Sequence, residues 1–416
     1  MDFKNHLKKY LSNEEIDKLM STFSNKEHKG LLLNTNKISD ERFVSLFPNV
    51  KKHPIVEHCY LFDQDEYQFG KMIYHDLGYY YIQDPSASLV SHFLSPKEDD
   101  IVLDICAAPG GKTVQASLLM NQKGTIYSND LSFSRAQILL SNVERMGLGN
   151  VIVSSIDLSK ITNLNEKFDK IILDAPCSGS GMFRKSEEMK QDWTYEKVLK
   201  QANIQKQLIL LAYSFLKKGG TLVYSTCSYS YEEDEEVVKY LLSNCDAELV
   251  EIPNYEGFYK SDLKETIHLF PNKFPGEGHY IALIKKPGEI NKTNLKTFQY
   301  EKIVQSKGKS KIIEKYILNS KPIEPLFKYA LRGGLFVSTT IENKTIYSHH
   351  YSHFVNNKDS YHLNDEELKK YLHGEELIIN GPIKNYDFVS YDNNILGVCK
   401  SKNKTLRNYY PKGLRR

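Results

Sequence analysis

The sequence predicts an open, doubly wound and mostly parallel α/β core, flanked by a small N-terminal α+β module and a β-rich C-terminal domain. From about residue 100, short apolar runs alternate with segments of helical periodicity. The first run, IVLDICA at 101–107, is almost continuously apolar, as expected of a strand buried on both faces of a parallel sheet. The chain has 416 residues, which is too long for one compact core. We therefore expect an N-terminal module at 1–85, a core domain at 86–286, a linker at 287–300 and a C-terminal domain at 301–416.

Three signals place elements in the N-terminal module. The S-x-x-E motif at 12–15 is a capping box that opens a helix running toward Phe23. The aromatic run at 79–82 favours a strand. The Asp-Pro-Ser turn at 84–86 leads into a helix that continues through Phe93. These signals predict a mixed module that ends near residue 85.

The core domain continues as alternating strands and helices. The expected strands are 125–130, 151–155, 170–176, 221–227, 247–252 and 279–286, and the expected helices are 134–146, 195–216 and 232–244. The longest helix is predicted to end at 217–220, with lysines in its last turn and glycines beyond. Ligands bind such sheets at the carboxyl ends of the strands. The residues that follow the strands are therefore candidates for a functional site.

The charge is unevenly distributed along the chain. From residue 287 onward there are 22 Lys and Arg against 13 Asp and Glu, although the whole chain carries a net charge of only +3. The last 17 residues hold seven basic residues, no acidic residue and the pair Tyr409-Tyr410. A basic segment interleaved with aromatic residues favours a nucleic-acid surface. A solvated lysine-rich surface explains the charge equally well, and the tyrosines also fit a tail packed on its own domain.

Composition favours a cytoplasmic protein without a membrane partner. The N-terminal segment MDFKNHLKKY is polar, and the most apolar helical run, 208–216, is far shorter than the ~20 residues that span a bilayer. The cysteines form no CxxC pair and no zinc-finger spacing. We expect a reducing compartment and no metal site, so that any special cysteine is catalytic rather than structural.

A glycine-rich loop follows the first core strand. The segment CAAPGGKT (106–113) combines glycines, which allow close approach of a ligand, with a helix N-terminus, which favours negative charge. A dinucleotide fingerprint requires GxGxxG, which is absent, and a P-loop requires a glycine where Cys106 stands. The third candidate ligand is S-adenosylmethionine, whose carboxylate would meet the loop amides. Asp130 would then take the ribose hydroxyls and Asp157 the adenine amino group, although a helix cap and a turn aspartate are simpler interpretations.

Two cysteines follow neighbouring strands of the predicted sheet. DAPC (174–177) follows the fourth strand and STC (225–227) follows the fifth. A thiolate that adds to carbon 6 of a cytosine makes carbon 5 nucleophilic, so that carbon 5 can attack a methyl sulfonium. Asp174 would stabilise the activated ring at N3 and N4, and the second cysteine would assist release of the first. Either cysteine alone is more simply a small buried residue, and their positions do not decide which one attacks.

At these residues the chain resembles the Sun/RsmF family of RNA cytosine-C5 methyltransferases. The matching segments are YYIQDPSAS (80–88), CAAPGGKT (106–113), SNDLS (128–132), LDAPCSGSGMFRK (173–185), Asp192-Trp193, YSTCSYSYEEDEEVV (224–238) and HLFPNKFPGEGHYIALIKK (268–286). DAPCSG and STCS, in this order after CAAPGGK, form a highly specific combination, whereas residues 1–79 match only loosely. The end of the chain, NYYPKGLRR, is similar to the tail of bacterial members that modify small-subunit ribosomal RNA.

The resemblance implies a Rossmann-like S-adenosylmethionine methyltransferase core and a PUA-like RNA-binding domain at the C-terminus. It implies that Cys227 is the nucleophile and that Cys177 assists release. Spacing alone does not rank the cysteines, because DNA cytosine methyltransferases attack from a Pro-Cys motif that is similar to 176–177. The residues implied in cofactor binding are Cys106, Ala107, Ala108, Pro109, Gly110, Gly111, Lys112, Asp130, Asp157 and Asp174.

The resemblance also implies an RNA partner, with small-subunit ribosomal RNA or the small subunit favoured and transfer RNA as the alternative. The target cytosine must be unpaired or flipped out of a duplex. Arg184 and Lys185 are candidates for phosphate contacts, although two solvated cations explain them equally well. A nucleotide hydrolase that uses GGKT and a non-catalytic RNA-binding assembly factor are the competing function classes. We expect the protein to act as a monomer.

Overall fold

The computed structural model describes residues 2–27, 29–185, 187–293, 295–305, 311–320, 322–356, 359–380 and 384–415. The N-terminal elements are helices α1 (Phe3–Leu7), α2 (Asn13–Ser21), α3 (Asp40–Leu46) and α4 (Ile73–Asp76), and strands β1 (Lys29–Leu33), β2 (Lys51–Lys52), β3 (Cys59–Phe62) and β4 (Tyr80–Gln83). The strands form an antiparallel sheet in the order β2-β3-β1-β4. Ser12 and Glu15 form the predicted capping box at the start of α2, which is therefore confirmed.

The central part of the chain forms a mostly parallel sheet between helices. Its strands are β5 (Ile101–Asp104), β6 (Thr125–Asn129), β7 (Val151–Ser154), β8 (Phe168–Asp174), β9 (Leu216–Thr226), β10 (Glu248–Val250), β11 (Ile267–Leu269) and β12 (His279–Lys285). Its helices are α5 (Ser88–Leu94), α6 (Gly111–Leu119), α7 (Phe133–Arg145), α8 (Glu187–Gln191), α9 (Tyr195–Phe215) and α10 (Glu235–Asn244). The strand order is β10-β12-β9-β8-β5-β6-β7, with β5 to β9 parallel and β12 antiparallel to β9. The predicted α/β fold class is confirmed.

The sheet is covered on both faces, which explains its continuous apolar strands. In β5, Ile101 and Leu103 belong to the apolar cluster on one face, whereas Val102 belongs to the cluster on the other. All the residues of this strand are buried. Successive side chains of a strand point to opposite faces, so a strand with apolar layers on both sides has no polar face.

The long helix ends within one residue of its predicted end, but the C-terminal cap predicted at 217–220 was wrong. Helix α9 ends at Phe215, and β9 begins directly at Leu216, so the lysines and glycines at 217–220 lie in the strand. Lys217 donates to the buried carboxylate of Asp169 on the neighbouring strand at 3.0 Å. Lys286, which directly follows β12, donates a hydrogen bond to the carbonyl of Leu216 at 2.9 Å. Tertiary pairing therefore replaces the local C-terminal cap that the sequence pattern predicted.

The C-terminal part of the chain forms two further sheets. Its strands are β13 (Phe298–Gln305), β14 (Lys311–Leu318), β15 (Ala330–Gly333), β16 (Leu335–Ile341), β17 (Lys344–Tyr347), β18 (Tyr361–His362), β19 (Leu377–Ile378), β20 (Phe388–Tyr391), β21 (Asn394–Lys402) and β22 (Thr405–Asn408), and its helices are α11 (Glu324–Phe327), α12 (His349–Phe354) and α13 (Asp365–His373). One sheet has the order β13-β14-β16-β17 and the other β18-β20-β21-β22-β19. Strand β13 begins inside the segment predicted as a linker. Strand β15 pairs with β7 and thereby extends the central sheet.

The N-terminal and C-terminal regions share one apolar core. It contains Leu31, Leu33 and Tyr79 together with Leu363 and Leu396. The Tyr79 hydroxyl donates to the Asp392 carboxylate at 2.8 Å, which joins the two regions at the rim of this core. Within the described ranges, no helix has both the length and the hydropathy needed to cross a membrane.

Candidate active site

The loop between β5 and α6 is fixed to the following strand and helix. The amide of Ala108 donates to the Asp130 carboxylate at 3.3 Å, and Arg135 donates to the carbonyl of Ala108 at 2.7 Å. Gly110 has a φ of +118°, and a Cβ at this position would lie 3.0 Å from Leu139. The loop therefore requires glycine here, and it presents backbone rather than side chain before the N-terminus of α6.

The two predicted cofactor aspartates lie at the carboxyl ends of β6 and β7. Asp130 is buried and also accepts the amide of Ser132 at 3.0 Å. Asp157 is partly exposed, caps a short helical turn through the amide of Ser159 at 3.1 Å, and pairs with Lys160 at 3.4 Å. Asp130 therefore ties the glycine-rich loop to β6, and Asp157 has the turn role that its simpler interpretation predicted.

An ion pair crosses the edge of the sheet between α6 and β8. Lys112 Nζ lies 2.7 Å from Asp174 Oδ2, and the hydroxyl of Ser225 donates to the other carboxylate oxygen at 2.7 Å. Burial alone would raise the pKa of Asp174, but Lys112, His279 and these hydrogen bonds hold it below its usual value. The site therefore contains an ionised carboxylate that Lys112 fixes in place.

Asp104, at the end of β5, is a site residue that the sequence analysis did not single out. Its side chain is fully buried, and Thr113 donates to its Oδ2 at 2.7 Å. Burial raises the pKa of Asp104 to about 7 in spite of that hydrogen bond, and Asp174 and Asp130 add to the shift. The available signal was a lone carboxylate inside an otherwise apolar strand.

The two predicted cysteines meet at the carboxyl ends of β8 and β9. Cys177 Sγ and Cys227 Sγ are 3.1 Å apart, and both residues are partly exposed. The hydrogen bond with Cys227 raises the pKa of Cys177, with further contributions from burial and from the charge of Glu233. The sequence prediction that the two strand ends bring these thiols together agrees with this geometry.

Glu233 connects the two cysteine segments, although the sequence analysis treated it only as part of a helix. Its carboxylate accepts the amide of Ser178 at 2.7 Å and the hydroxyl of Ser228 at 2.5 Å. Gln205 of α9 donates to the same carboxylate at 3.1 Å and to the Pro176 carbonyl at 2.8 Å. One buried carboxylate therefore holds the residues next to both cysteines, and the acidic run after STCS was the signal available for it.

His279 is a further residue at this edge that the sequence analysis did not single out. It begins β12, which pairs antiparallel with β9 and places Tyr280 opposite Thr226. By continuation of that register, His279 lies across from Cys227. Only 7% of His279 is exposed, and its Nδ1 lies 3.1 Å from the hydroxyl of Ser86. A polar residue at the start of a closing strand was the only sequence signal.

The two residues predicted to contact phosphate, Arg184 and Lys185, differ in their exposure. The Arg184 side chain is 2% exposed, pairs with Glu277 at 2.9 Å and donates to the carbonyl of Gly276 at 2.7 Å. This placement gives Arg184 a structural role and does not support a phosphate contact. Lys185 is exposed. Tyr410 is buried, which agrees with a tail packed on its own domain.

A group of possible metal ligands lies close to the segment that follows Cys227. Single ligand atoms of Asp234, Glu235 and His268 lie within 4.8 Å of one another, and all three residues are buried. His268 Nε2 is 2.7 Å from Glu235 Oε1, and Thr226 donates to Asp234 at 2.6 Å. Burial opposes ionisation of Glu235, but His268 holds its pKa below the usual value. The contacts of Glu235 with His268 and of Asp234 with Thr226 account for this arrangement, and we assign no metal to it.

Three family models match successive parts of the chain. They are the N-terminal domain of 16S rRNA methyltransferase RsmF over 1–85, the 16S rRNA methyltransferase RsmB/F over 91–285 and the methyltransferase RsmF PUA domain over 358–416. The ribosomal RNA small subunit methyltransferase F of Shewanella piezotolerans is 31% identical, and the match covers 92% of this chain and 90% of that protein. The chain belongs to the RsmB/F methyltransferase family. The resemblance seen in the sequence is therefore confirmed, and so is the PUA-like character of the C-terminal end.

Other members and relatives of the family match smaller parts. The ribosomal RNA small subunit methyltransferase F of Vibrio vulnificus is 35% identical over 71% of this chain, and the match spans 66% of that protein. The tRNA (cytosine(49)-C(5))-methyltransferase of Pyrococcus abyssi is 39% identical over 53% of this chain and 74% of that protein. A methyltransferase homolog from Pyrococcus horikoshii superposes with a TM-score of 0.61 at 30% identity, over 68% of this chain and 93% of that one. RsmB/F is an RNA cytosine-C5 methyltransferase family whose methyl donor is S-adenosylmethionine.

Proposed function

We propose that this chain forms 5-methylcytosine in small-subunit ribosomal RNA from S-adenosylmethionine, with Cys227 as the nucleophile and Cys177 assisting release. The observation that carries the proposal is the 3.1 Å separation of the two sulfur atoms beside the Lys112–Asp174 pair. A single buried cysteine fits a structural role, whereas two thiols within hydrogen-bond distance next to an ion pair form a reactive group.

Lys112 places a positive charge close to Cys227. Burial alone would lower the pKa of Lys112, but Asp174 and other negative groups, among them a Cys227 thiolate, raise it. A lysine that stays protonated stabilises a neighbouring thiolate, which is the reactive form of cysteine. The thiolate adds to carbon 6 of cytosine, and the electron pair displaced into the ring makes carbon 5 a nucleophile toward the methyl group.

Asp174 stabilises the ring while Cys227 is bonded to it. The carboxylate is ionised and fixed by Lys112 and Ser225. It accepts hydrogen bonds from the amino group at N4 and from N3 when that nitrogen carries a proton. A ring that has taken up a proton at N3 stays neutral when the thiolate adds, and the oriented carboxylate stabilises this protonated ring through both hydrogen bonds.

The cosubstrate is held at the carboxyl ends of β5 to β8 in this proposal. The residues that hold it are Cys106, Ala107, Ala108, Pro109, Gly110, Gly111, Lys112, Asp130, Asp157 and Asp174. The fit is supported by the glycine conformation of the loop at Gly110, where a side chain would crowd Leu139, and by the buried carboxylate of Asp130. When bound, S-adenosylmethionine supplies a methyl group on a positively charged sulfur.

Cys177 assists release as a hydrogen-bond donor. Its pKa lies well above the ordinary value, first because of the hydrogen bond with Cys227 and then because of burial and Glu233. A group with such a pKa remains a thiol, so it can donate to the Cys227 sulfur as that sulfur leaves carbon 6. Without this donor, the departing thiolate is stabilised less and the covalent intermediate persists.

The remaining segments bind RNA in this proposal. Residues 1–85 and 301–416 form RNA-binding modules around a methyltransferase domain at 86–286, with 287–300 as the linker. Lys185 is exposed, follows the Cys177 segment in the chain and provides a phosphate contact. The protein acts as a monomer in the cytoplasm, where its ribosomal RNA is found. Phosphate contacts position the RNA, and the flipped cytosine enters the site.

The covalent mechanism is tested by trapping. Cys177→Ala is expressed in cells and purified under denaturing conditions, and RNA that remains attached is sequenced. We expect a covalent adduct with one RNA region, and we expect Cys177→Ala combined with Cys227→Ala to form none. Cys245→Ala, which changes a partly exposed cysteine at the end of α10, is the matched control and should trap nothing. An adduct that survives loss of Cys227 would show that the nucleophile is wrong.

Transfer RNA is the alternative substrate, because the relative from Pyrococcus abyssi is named for a transfer RNA cytosine. The two substrates are distinguished by bisulfite sequencing of cellular RNA with and without the gene. Loss of a modified cytosine from small-subunit ribosomal RNA supports the proposal. Loss confined to transfer RNA supports the alternative.

A further inference from the structure

A short hydrogen-bonded relay fixes the tautomer of His279. Ser86 donates its hydroxyl hydrogen to Asp84 Oδ1, so its oxygen is left to accept the N–H of His279 Nδ1, 3.1 Å away. Asp84 is an acceptor throughout, because the amides of Ala87 and Glu277 donate to it at 3.1 and 2.9 Å. The pattern assigns the hydrogen of the neutral ring to Nδ1 and leaves a lone pair on Nε2. Among the described residues, Nε2 has no hydrogen-bond partner.

Four charged groups surround His279. They are Lys112 of α6, Asp174 of β8, Asp84 before α5 and Lys185 after the Cys177 segment. Burial is the main cause that lowers the pKa of His279 to about 4, and the two lysines lower it further, whereas the two carboxylates raise it. The ring is therefore neutral at physiological pH, and a proton taken up by Nε2 would be attracted by the two carboxylates and repelled by the two lysines.

The proposed reaction requires a base that its named residues do not provide. After methyl transfer, carbon 5 carries both the new methyl group and its original hydrogen, while Cys227 is bonded to carbon 6. Cys177 stays protonated because its pKa is raised, so it cannot accept that hydrogen. Both carboxylate oxygens of Asp174 already accept hydrogen bonds, from Lys112 and from Ser225, and the proposed function assigns this group to N3 and N4 of the ring. The proton must therefore go to another group at this edge of the sheet.

We propose that His279 is this base, an inference that rests on the proposed function. Nε2 takes the proton from carbon 5, and the electron pair of that C–H bond forms the double bond between carbons 5 and 6. The bond from carbon 6 to Sγ of Cys227 breaks, and its electron pair leaves on the sulfur. The imidazolium then loses its proton to water. Asp84 and Ser86 are positioning residues, which orient the ring and stabilise its charged form.

The test follows the hydrogen on carbon 5 directly. Small-subunit ribosomal RNA and a mixture of transfer RNAs are transcribed from cytidine triphosphate that carries tritium at carbon 5. Tritium release is then measured in single turnover. In His279→Ala we expect methyl transfer to proceed and release to fall by about 100-fold or more, in the range of general-base effects. A methylated covalent adduct should accumulate, and added imidazole should restore release. Restoration by imidazole would not follow if His279 were only structural.

The controls separate this inference from the proposed function. His373→Ala changes an exposed histidine on α13 and should release tritium at the wild-type rate. Ser86→Ala should slow release by about tenfold, because it disorients the base without removing it, and it replaces His279→Ala if melting shows that variant to be unfolded. Release from His279→Ala at the control rate, or a failure to form any adduct, would overturn the role of His279. A wild-type protein that releases no tritium from either RNA would overturn the proposed function itself.

Discussion

At the scale of single residues, Asp104 is a carboxylate whose ionisation opposes folding. It is fully buried, and its Oδ1 has no hydrogen-bond partner among the described residues. Its pKa is about 7 in the folded chain, against an ordinary value of 3.8. A raised pKa contributes stability at pH values below the pKa of the group in the unfolded chain. That stability is lost as the pH rises through the pKa of the group in the folded chain. At neutral pH and above, the folded protein must therefore accommodate a buried charge.

We expect Asp104→Asn to stabilise the protein at high pH and to have little effect at low pH. The amide keeps the shape and can still accept from Thr113, but it cannot ionise. The gain in unfolding free energy should be on the order of 3 kcal/mol near pH 8 and close to zero near pH 4. Urea unfolding at both pH values, without cosubstrate, measures the difference. Asp65→Asn, at an exposed carboxylate, is the control, and an equal effect of Asp104→Asn at both pH values would contradict the prediction.

The site residues differ in how far the sequence could identify them. Cys177, Cys227 and Asp174 follow strands in a recognisable spacing, so the sheet topology alone predicts that they meet. Glu233 and His279 reach the same place from a helix start and from an antiparallel strand. Their contacts depend on tertiary pairing, which leaves no local periodicity in the sequence.

At the scale of secondary-structure elements, the segment between β9 and α10 acts on both cysteines through Glu233. The carboxylate accepts from Ser178, next to Cys177, and from Ser228, next to Cys227. Its charge also raises the pKa of Cys177 and so keeps that thiol protonated, after the larger effects of Cys227 and burial. Glu233 is therefore a positioning residue for the separation of the two sulfur atoms.

We expect Glu233→Gln to slow release more than attack. The neutral amide keeps the volume but weakens the hydrogen bonds to both serines, each worth about 1.5–3 kcal/mol when the acceptor is charged. The fraction of enzyme trapped as a covalent adduct should rise at least about fivefold over wild type, and iodoacetamide should modify Cys177 at a lower pH. Glu236→Gln, a partly exposed carboxylate of α10, is the matched control. A folded Glu233→Gln variant that behaves like this control would contradict the positioning role of Glu233.

The elements themselves were predicted where local pattern and tertiary structure agree. The buried strands of the central sheet are continuous apolar runs, and the capping box at 12–15 begins a helix in sequence and in structure. The cap predicted after α9 was wrong because Lys217 pairs with Asp169 across the sheet instead of capping the helix. Strand β15 was not predicted as part of the central sheet, since its pairing with β7 joins segments far apart in the chain.

At the scale of the whole molecule, the C-terminal region is built into the fold at two places. Strand β15 forms the outer edge of the central sheet, and Arg332 on it pairs with Glu144 of α7 at 2.8 Å. The final sheet completes the apolar core of the N-terminal region. Full burial of one large apolar side chain contributes about 1.5–3 kcal/mol, so the loss of several such contacts is comparable to a typical total stability of about 5–15 kcal/mol.

Two truncations test this architecture. A chain of residues 1–357 loses the final sheet but keeps β15, whereas a chain of residues 1–297 loses both. We expect both to melt at lower temperature than the full chain, with 1–297 the less stable because β7 becomes an exposed edge. In 1–357, hydrogen exchange should show loss of protection in β1 while β5 stays protected, since β1 packs under the missing sheet. A chain of residues 1–411, which lacks the exposed segment 412–415 and the last residue, is the control. If 1–357 kept full protection of β1, the N-terminal region would be stable without the final sheet, and the shared core would not be what holds it folded.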